Sequence, residues 1–157
     1  MKVREYKAVV LREEVMTNEE RTVDTPEKAA EFWRARIEES PRFTASVENF
    51  VVLLLNTRRR VTGWQVVSTG TLDTLLVHPR EVFRAAILAN AAALVLMHNH
   101  PSGDPQASQG DIKVTRDLIR AGQLIKIEVL DHVIVGRMNN ERSKPYQSLR
   151  EEGYFYQ

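Results

Sequence analysis

The stretch AAALVLMHNHPSGDPQASQGD, residues 91–111, joins a continuous apolar run to two histidines, a serine and an aspartate. A short apolar run bounded by turn-forming residues is typical of a strand buried on both faces. Two histidines two positions apart point to the same side of a strand, whereas on a helix they would face roughly opposite directions. His98 and His100 therefore predict the end of a buried strand. Pro101 then stops the strand, because proline has no N–H to donate.

A helix is predicted after the loop that follows this strand. Turn-forming residues dominate positions 102–105. From Asp111 onward, apolar residues recur at roughly helical intervals, which predicts a helix over 111–121 that ends at Gly122. The carboxylate of Asp111 would then lie in the first helical turn, where the loop can fold it back over the strand end.

The two imidazoles and the carboxylate have the composition of a metal site. They amount to three ligands, the number that a catalytic zinc takes while leaving a fourth position open for water. Water in that position becomes acidic near neutral pH and attacks carbonyl carbons as hydroxide. The sequence has no cysteine, so any transition metal must rely on nitrogen and oxygen ligands. We therefore predict one Zn²⁺ per chain and hydrolase chemistry.

The spacing of these residues resembles that of a known family. His-x-His, seven residues and Ser-x-x-Asp is the pattern of the JAMM (MPN+) metalloprotease domain. The matching positions are His98, His100, Ser108 and Asp111. The longer wording HNHPSGDP, with VHPREVFRAAILANAAAL upstream and LDHVIVG downstream, resembles the RadC branch of that superfamily. The resemblance covers residues 48–153.

This resemblance implies a role for each matching residue. His98, His100 and Asp111 would bind zinc. Glu48, which comes just before an apolar run, would act as general base and then as general acid. Ser108 would donate a hydrogen bond to the oxyanion of the tetrahedral intermediate. The implied reaction is hydrolysis of an amide or isopeptide bond in a protein or peptide-like substrate, and that chemistry requires such a base and such a donor.

Two of these assignments have alternatives in the sequence. Glu81 is another upstream carboxylate, and spacing alone does not place Glu48 beside a metal ion. Ser-x-x-Asp before a periodic run is also a helix N-terminal capping signature. Capping and ligation compete for Asp111, because a ligand carboxylate cannot easily turn back to the N–H of the cap as well. We favour ligation for Asp111, while Ser108 could cap the helix and still line the site.

The remaining histidines have weaker claims to a metal. His78 precedes Pro79 at a predicted helix start, which favours a residue at the helix entrance over a ligand. His132 begins the apolar run at 133–135. It is either a strand-end residue or a partner that orients a metal ligand.

Charge gives little support for a nucleic-acid partner. The 22 basic and 21 acidic residues leave a net charge of +1, so the whole chain has no electrostatic footprint for DNA, RNA or anionic lipid. Arg58, Arg59 and Arg60 lie between two apolar runs and are expected at the solvated tip of a hairpin. A contact with nucleic-acid phosphates is the alternative for these arginines.

Length and composition predict a soluble, cytoplasmic protein with one domain. The 157 residues are enough for one sizeable core. The longest apolar stretch, 85–97, is shorter than the roughly 18 residues of a membrane span. The N-terminus lacks an apolar segment with a cleavage site. No feature of the sequence determines the oligomeric state.

We divide the chain into a lead-in at 1–45, with a strand within 6–15 and a helix over 25–39, and a metal-hydrolase domain at 46–157. Strands are predicted at 50–55, 64–68, 72–77, 124–130 and 133–135, with a helix over 79–92 and a short element at 146–151. Because strands and helices do not alternate regularly, the fold class is α/β or α+β, a mixed sheet flanked by helices. The resemblance adds a JAB/MPN-like fold with cytidine-deaminase-like layering.

The leading hypothesis is a zinc-dependent hydrolase of the JAMM type. One alternative is a catalytically silent MPN-like scaffold, which would not need a complete ligand set and a base. Another is a metal-dependent factor that acts on nucleic acid and is linked to DNA repair. Longer RadC-like proteins carry an N-terminal helix-hairpin-helix segment associated with DNA. Residues before Glu48 show no such glycine-bearing pair, which argues against that role.

Overall fold

A mixed five-stranded sheet organises the protein in the computed structural model, which describes residues 1–70 and 77–156. The strands lie in the spatial order β2-β1-β3-β4-β5. Their bounds are β1 Glu48–Leu55, β2 Val61–Gly70, β3 Ala93–Asn99, β4 Glu128–Val135 and β5 Tyr146–Ser148. β3 and β4 run parallel, and the other neighbouring pairs are antiparallel. The predicted mixed sheet is confirmed.

Helices cover both faces of this sheet. They are α1 Asn18–Arg21, α2 Pro26–Phe32 with a π-helical turn at Trp33–Ile37, α3 Pro79–Leu88 and α4 Gln109–Ile125. Side chains alternate along β1, so Phe50 and Val52 pack with α3 and α4 while Val51 and Leu53 pack with α2 and the π-helical turn. Because both faces are covered, β1 and β3 are continuous apolar runs. None of the helices in the described part of the chain could cross a bilayer.

The crossover from β3 to β4 brings a helix start to a strand end. Parallel strands require a connection that returns to the opposite end of the sheet, and α4 provides it. Ser108 caps α4: its hydroxyl accepts from the N–H of Asp111, and the Asp111 carboxylate accepts from the N–H of Ser108. The first turn of α4 therefore lies next to the end of β3.

One predicted strand is absent from the described residues, and another falls mostly on residues that the structure does not describe. Residues 1–17 contain no helix or strand, so the strand predicted within 6–15 is wrong. Val9, Val10 and Leu11 are exposed there, because the segment does not join the sheet that would bury them. Most of the strand predicted at 72–77 falls on residues 71–76, which lie outside the described residues.

The end of α4 was also predicted wrongly. The helix continues past Gly122 to Ile125 and ends at Lys126, which has a left-handed φ of 60°. Strand β4 therefore begins only at Glu128, and the strands predicted at 124–130 and 133–135 are one strand. A Cβ on Gly122 would lie 2.4 Å from the carbonyl oxygen of Ile127. Glycine is required here by a close approach, and a helix end does not explain it.

We expect Gly122→Ala to lower the free energy of unfolding by about 1–3 kcal/mol, because the added methyl meets backbone that cannot move aside. Urea unfolding measures this loss. Gly63→Ala is the matched control, since its new Cβ would have as nearest neighbour a Leu54 side-chain atom at 3.6 Å. Equal stability losses in the two variants would contradict the proposed packing constraint.

Candidate metal centre

His98, His100 and Asp111 converge at the end of β3. Each offers a ligand atom, and these atoms all lie within 4.8 Å of one another. The Nε2 of His98 lies 3.0 Å from the Nε2 of His100 and 3.3 Å from Oδ1 of Asp111. The Nε2 of His100 lies 3.4 Å from Oδ2 of Asp111. Ligand atoms around a tetrahedral zinc ion lie roughly 3.4 Å apart, so these three groups are close enough together to hold Zn²⁺.

The loop after β3 orients the ring of His100. Its Nδ1 lies 2.7 Å from the carbonyl oxygen of Asp104. A carbonyl oxygen can only accept, so Nδ1 donates and carries the hydrogen. The lone pair of His100 is therefore on Nε2, the nitrogen that faces His98 and Asp111.

Electrostatics favour a cation at the centre of the cluster. Burial acts to raise the pKa of Asp111, but hydrogen bonds with His100, His98 and the Ser108 backbone hold this pKa well below its ordinary value. Burial acts to lower the pKa of His100, yet Asp111, the Asp104 carbonyl and the charge of Glu48 raise it overall. The carboxylate stays ionised, and the surrounding groups attract positive charge.

The carboxylate of Asp111 both caps α4 and faces the two histidines. Its Oδ2 accepts from the backbone N–H of Ser108 at 2.8 Å, while Oδ1 faces His98. Capping therefore does not turn this carboxylate away from the histidines, contrary to the expected competition. The first turn of α4 lies directly beside the strand end, so one rotamer of Asp111 serves both contacts. The hydroxyl of Ser108 accepts from the N–H of Asp111 at 3.1 Å, which leaves its own hydrogen free to donate.

Glu48 lies at the start of β1, beside the same strand end. Phe50 pairs with His98 in the antiparallel register of β1 and β3. Continuing that register by two residues sets Glu48 opposite His100, and the charge of Glu48 contributes to the raised pKa of His100. Glu81, the alternative carboxylate, lies in the first turn of α3 and forms an ion pair with Arg84 at 3.0 Å.

Two buried asparagines that the sequence analysis did not select hold the start of β1. The side-chain oxygen of Asn99 accepts from the backbone N–H of Asn49 at 2.8 Å, and its amide donates to the carbonyl of Val47 at 3.0 Å. Both side chains are buried. The only sign of Asn49 and Asn99 in the sequence was a polar residue close to each apolar run. These bonds fix the backbone on both sides of Glu48.

The other histidines take different positions. His132 lies inside β4, fully buried, with its Nε2 2.7 Å from Nδ1 of His98. That contact matches the partner interpretation, and the strand-end interpretation does not describe it. His78 caps α3 and accepts from the N–H of Arg80 at 3.1 Å, which is the helix-entrance role expected of it.

Basic residues after β4 brace the loop between His100 and Ser108. Arg137 donates to the carbonyl of Pro101 at 2.6 Å, and Arg142 donates to the carbonyl of Gly103 at 3.1 Å. Gly136 allows the close approach, since a Cβ there would lie 2.3 Å from the oxygen of Gly103. No sequence pattern signals these contacts, because they depend on how two distant loops meet.

The three arginines predicted in a hairpin do lie in the turn between β1 and β2. The side-chain oxygen of Asn56 accepts from the backbone N–H groups of Arg58 and Arg60. Arg59 forms an ion pair with Glu128 at 3.5 Å. The turn is thus ordered by backbone contacts, at the end of β1 remote from Glu48.

The model of the RadC-like JAB domain matches residues 23–154, which is most of the sequence. The chain belongs to this family. The match of the RadC-like domain begins before Pro26, so it includes α2 and the π-helical turn that the sequence analysis had assigned to the lead-in at 1–45.

Curated relatives of the RadC-like domain are named UPF0758 proteins. One from Halalkalibacterium halodurans is 46% identical over 132 residues, which cover 84% of this chain and 52% of the relative. One from Desulforudis audaxviator is 46% identical over 134 residues, 85% of this chain and 54% of the relative. One from Symbiobacterium thermophilum is 51% identical over 108 residues, which cover 69% of this chain and 44% of the relative. The chain spans about half the length of these relatives, whose names state no activity.

Two variants separate capping from ligation. Ser108→Ala should keep about one zinc per chain and lower the free energy of unfolding of the metal-free protein by about 1 kcal/mol, because it removes the cap but no candidate ligand. Asp111→Ala should lose the zinc as well, because it also removes a ligand. Metal analysis after gel filtration and urea unfolding in the presence of chelator give the two values. Full zinc occupancy in Asp111→Ala would contradict the ligand role.

Proposed function

We propose that this RadC-like domain is a zinc-dependent hydrolase that cleaves an amide or isopeptide bond with metal-activated water. The observation that carries the proposal is the convergence of His98, His100 and Asp111, with a carboxylate, Glu48, beside them. A zinc ion bound there would acidify a water molecule and polarise the carbonyl of the substrate. The rest of the chemistry falls to residues of the chain itself.

Glu48 would take the proton from the attacking water and deliver it to the leaving nitrogen. Its position at the start of β1, opposite His100 when the β1–β3 register is extended, supports this role, and Glu48 is not one of the three candidate ligands. A positioned acid–base group contributes on the order of 10²- to 10⁴-fold to the rate. The buried Asn49 and Asn99 would hold the backbone that carries this carboxylate.

Ser108 would donate to the developing oxyanion. It is exposed at the start of α4, and its hydroxyl hydrogen is not used by the cap. The side chain of His100 is 15% exposed, whereas that of His98 is fully buried. Substrate would therefore approach from the side of His100 and Ser108. A hydroxyl that donates to the oxyanion lowers the barrier because charge develops on that atom in the transition state.

The nucleic-acid alternative is less well supported. It would need Arg58, Arg59 and Arg60 to hold phosphates near the metal. These arginines follow the end of β1, whereas Glu48 begins that strand. Eight residues of strand span roughly 24 Å at about 3.4 Å per residue, so the arginines are too far away to position a phosphate at the site. We therefore propose a protein or peptide-like substrate.

The scaffold alternative gives Glu48 no catalytic role. A domain that uses the ion only to hold its shape does not need an acid–base group beside the ligands. The presence of Glu48 and of an exposed Ser108 hydroxyl next to one ligand set therefore favours catalysis.

We expect Glu48→Gln to retain about one zinc per chain and to lose at least about 100-fold in turnover, because the amide cannot accept the proton of the water. The assay uses a panel of coumarin-amide peptides and of peptides with an isopeptide-linked lysine. His98→Ala should lose both zinc and turnover. Glu48→Gln with wild-type turnover would contradict the assigned role, and a zinc-loaded wild type that cleaves none of the panel would favour the scaffold.

A further inference from the structure

Two buried polar side chains, Thr115 of α4 and His132 of β4, lie behind His98. Thr115 is fully buried and His132 is 1% exposed. The ring of Phe50 lies edge-on to His132, with ring centroids 5.5 Å apart. Polar atoms in such surroundings must be satisfied by one another, since unpaired buried donors and acceptors are costly.

The hydroxyl of Thr115 fixes the direction of the hydrogen bonds. Its oxygen lies 2.6 Å from the backbone carbonyl oxygen of Asp111 and 2.6 Å from Nδ1 of His132. The hydroxyl has one hydrogen, and the carbonyl can only accept it. Thr115 therefore donates to Asp111 and accepts from His132, so the hydrogen of His132 is on Nδ1.

The hydrogen bond between His132 and His98 then has only one direction. A charged imidazolium at His132 would be a buried cation with neutral partners, which is strongly unfavourable. Neutral His132 with its hydrogen on Nδ1 presents a lone pair on Nε2, 2.7 Å from Nδ1 of His98. His98 therefore donates from Nδ1 and keeps its lone pair on Nε2. That nitrogen faces His100 at 3.0 Å and Asp111 at 3.3 Å.

We propose that Thr115 and His132 are positioning residues that hold His98 in the tautomer able to bind zinc. The inference rests on the proposed metal site and adds two residues to it. The chain of bonds begins at the backbone carbonyl of Asp111 and ends at a nitrogen that faces the carboxylate of the same residue. It therefore ties the histidine of β3 to the helix turn that carries the aspartate.

Loss of the Thr115 hydroxyl should remove the constraint on the tautomers of His132 and His98. His132 would lose the acceptor of its Nδ1–H, and its hydrogen could move to Nε2. That hydrogen would then face the Nδ1–H of His98, so the hydrogen of His98 would move to Nε2 and occupy the lone pair that binds the metal. A hydroxyl bonded to the carbonyl four residues earlier is common in helices. The histidine tautomers and the His132 variants described below separate that local contact from the bond to His132.

Thr115→Val and Thr115→Ser make the matched pair. Valine keeps the shape and removes the hydroxyl, whereas serine keeps the hydroxyl. We expect Thr115→Val to weaken Zn²⁺ affinity by about 10- to 100-fold, the usual effect of losing a residue that orients a metal ligand. Thr115→Ser should stay within about threefold of the wild type. Competition with a chromogenic zinc chelator measures the affinity.

Nitrogen-15 NMR of the histidines in the zinc-free protein reads the tautomer directly. The wild type should show His98 and His132 protonated on Nδ1, and Thr115→Val should show Nε2 protonation at both residues. Wild-type zinc affinity and wild-type tautomers in Thr115→Val would overturn the proposal. A wild type that binds no zinc would refute the proposed function. The tautomers of the zinc-free protein would still test whether Thr115 and His132 hold the tautomer of His98.

A second pair covers the case in which Thr115→Val does not fold. His132→Gln retains an amide oxygen that can accept from His98 and an amide group that can donate to Thr115. His132→Leu retains neither. We expect His132→Gln to bind Zn²⁺ at least about tenfold more tightly than His132→Leu. Equal affinities in these variants, with equal circular dichroism spectra, would contradict a role through hydrogen bonding.

Discussion

The structure depends on one contact, the placement of the first turn of α4 against the end of β3. The parallel arrangement of β3 and β4 requires a crossover, and α4 supplies it. Ser108 and Asp111 cap each other at the start of that helix, and the same Asp111 carboxylate faces both His98 and His100. A helix cap worth about 1 kcal/mol is thus joined to a cluster whose groups attract a cation, so fold and site share one side chain.

Strand β3 arranges two sides of the site through simple alternation. His98 points to the layer that contains α4, where it meets Asp111 and His132. The next residue, Asn99, bonds to the segment before β1 and to Asn49. One strand therefore presents a candidate metal ligand on one face and fixes the backbone around Glu48 from the other. This alternation explains how Asn99, the polar residue between the two histidines, can be buried and hydrogen-bonded.

The sequence was sufficient for features that depend on local pattern. The apolar run before His98 predicted β3, and Ser-x-x-Asp offered the cap as the alternative to ligation. It was insufficient where the outcome depends on how distant segments meet. The position of His132 behind His98 follows from the register of β3 and β4, which periodicity does not determine. Gly122 was taken for a helix end although its reason is a close approach to Ile127, and the apolar residues at 9–11 suggested a strand that has no place in the sheet.

X-ray absorption at the zinc edge tests the central claim most directly. After metal-free protein takes up one equivalent of Zn²⁺, we predict a four-coordinate shell of nitrogen and oxygen at about 2.0–2.1 Å. Two imidazole rings should be visible in the outer-shell scattering, from His98 and His100, with Asp111 and a water completing the shell. A six-coordinate shell of oxygen alone, or scattering from a single imidazole, would contradict the account.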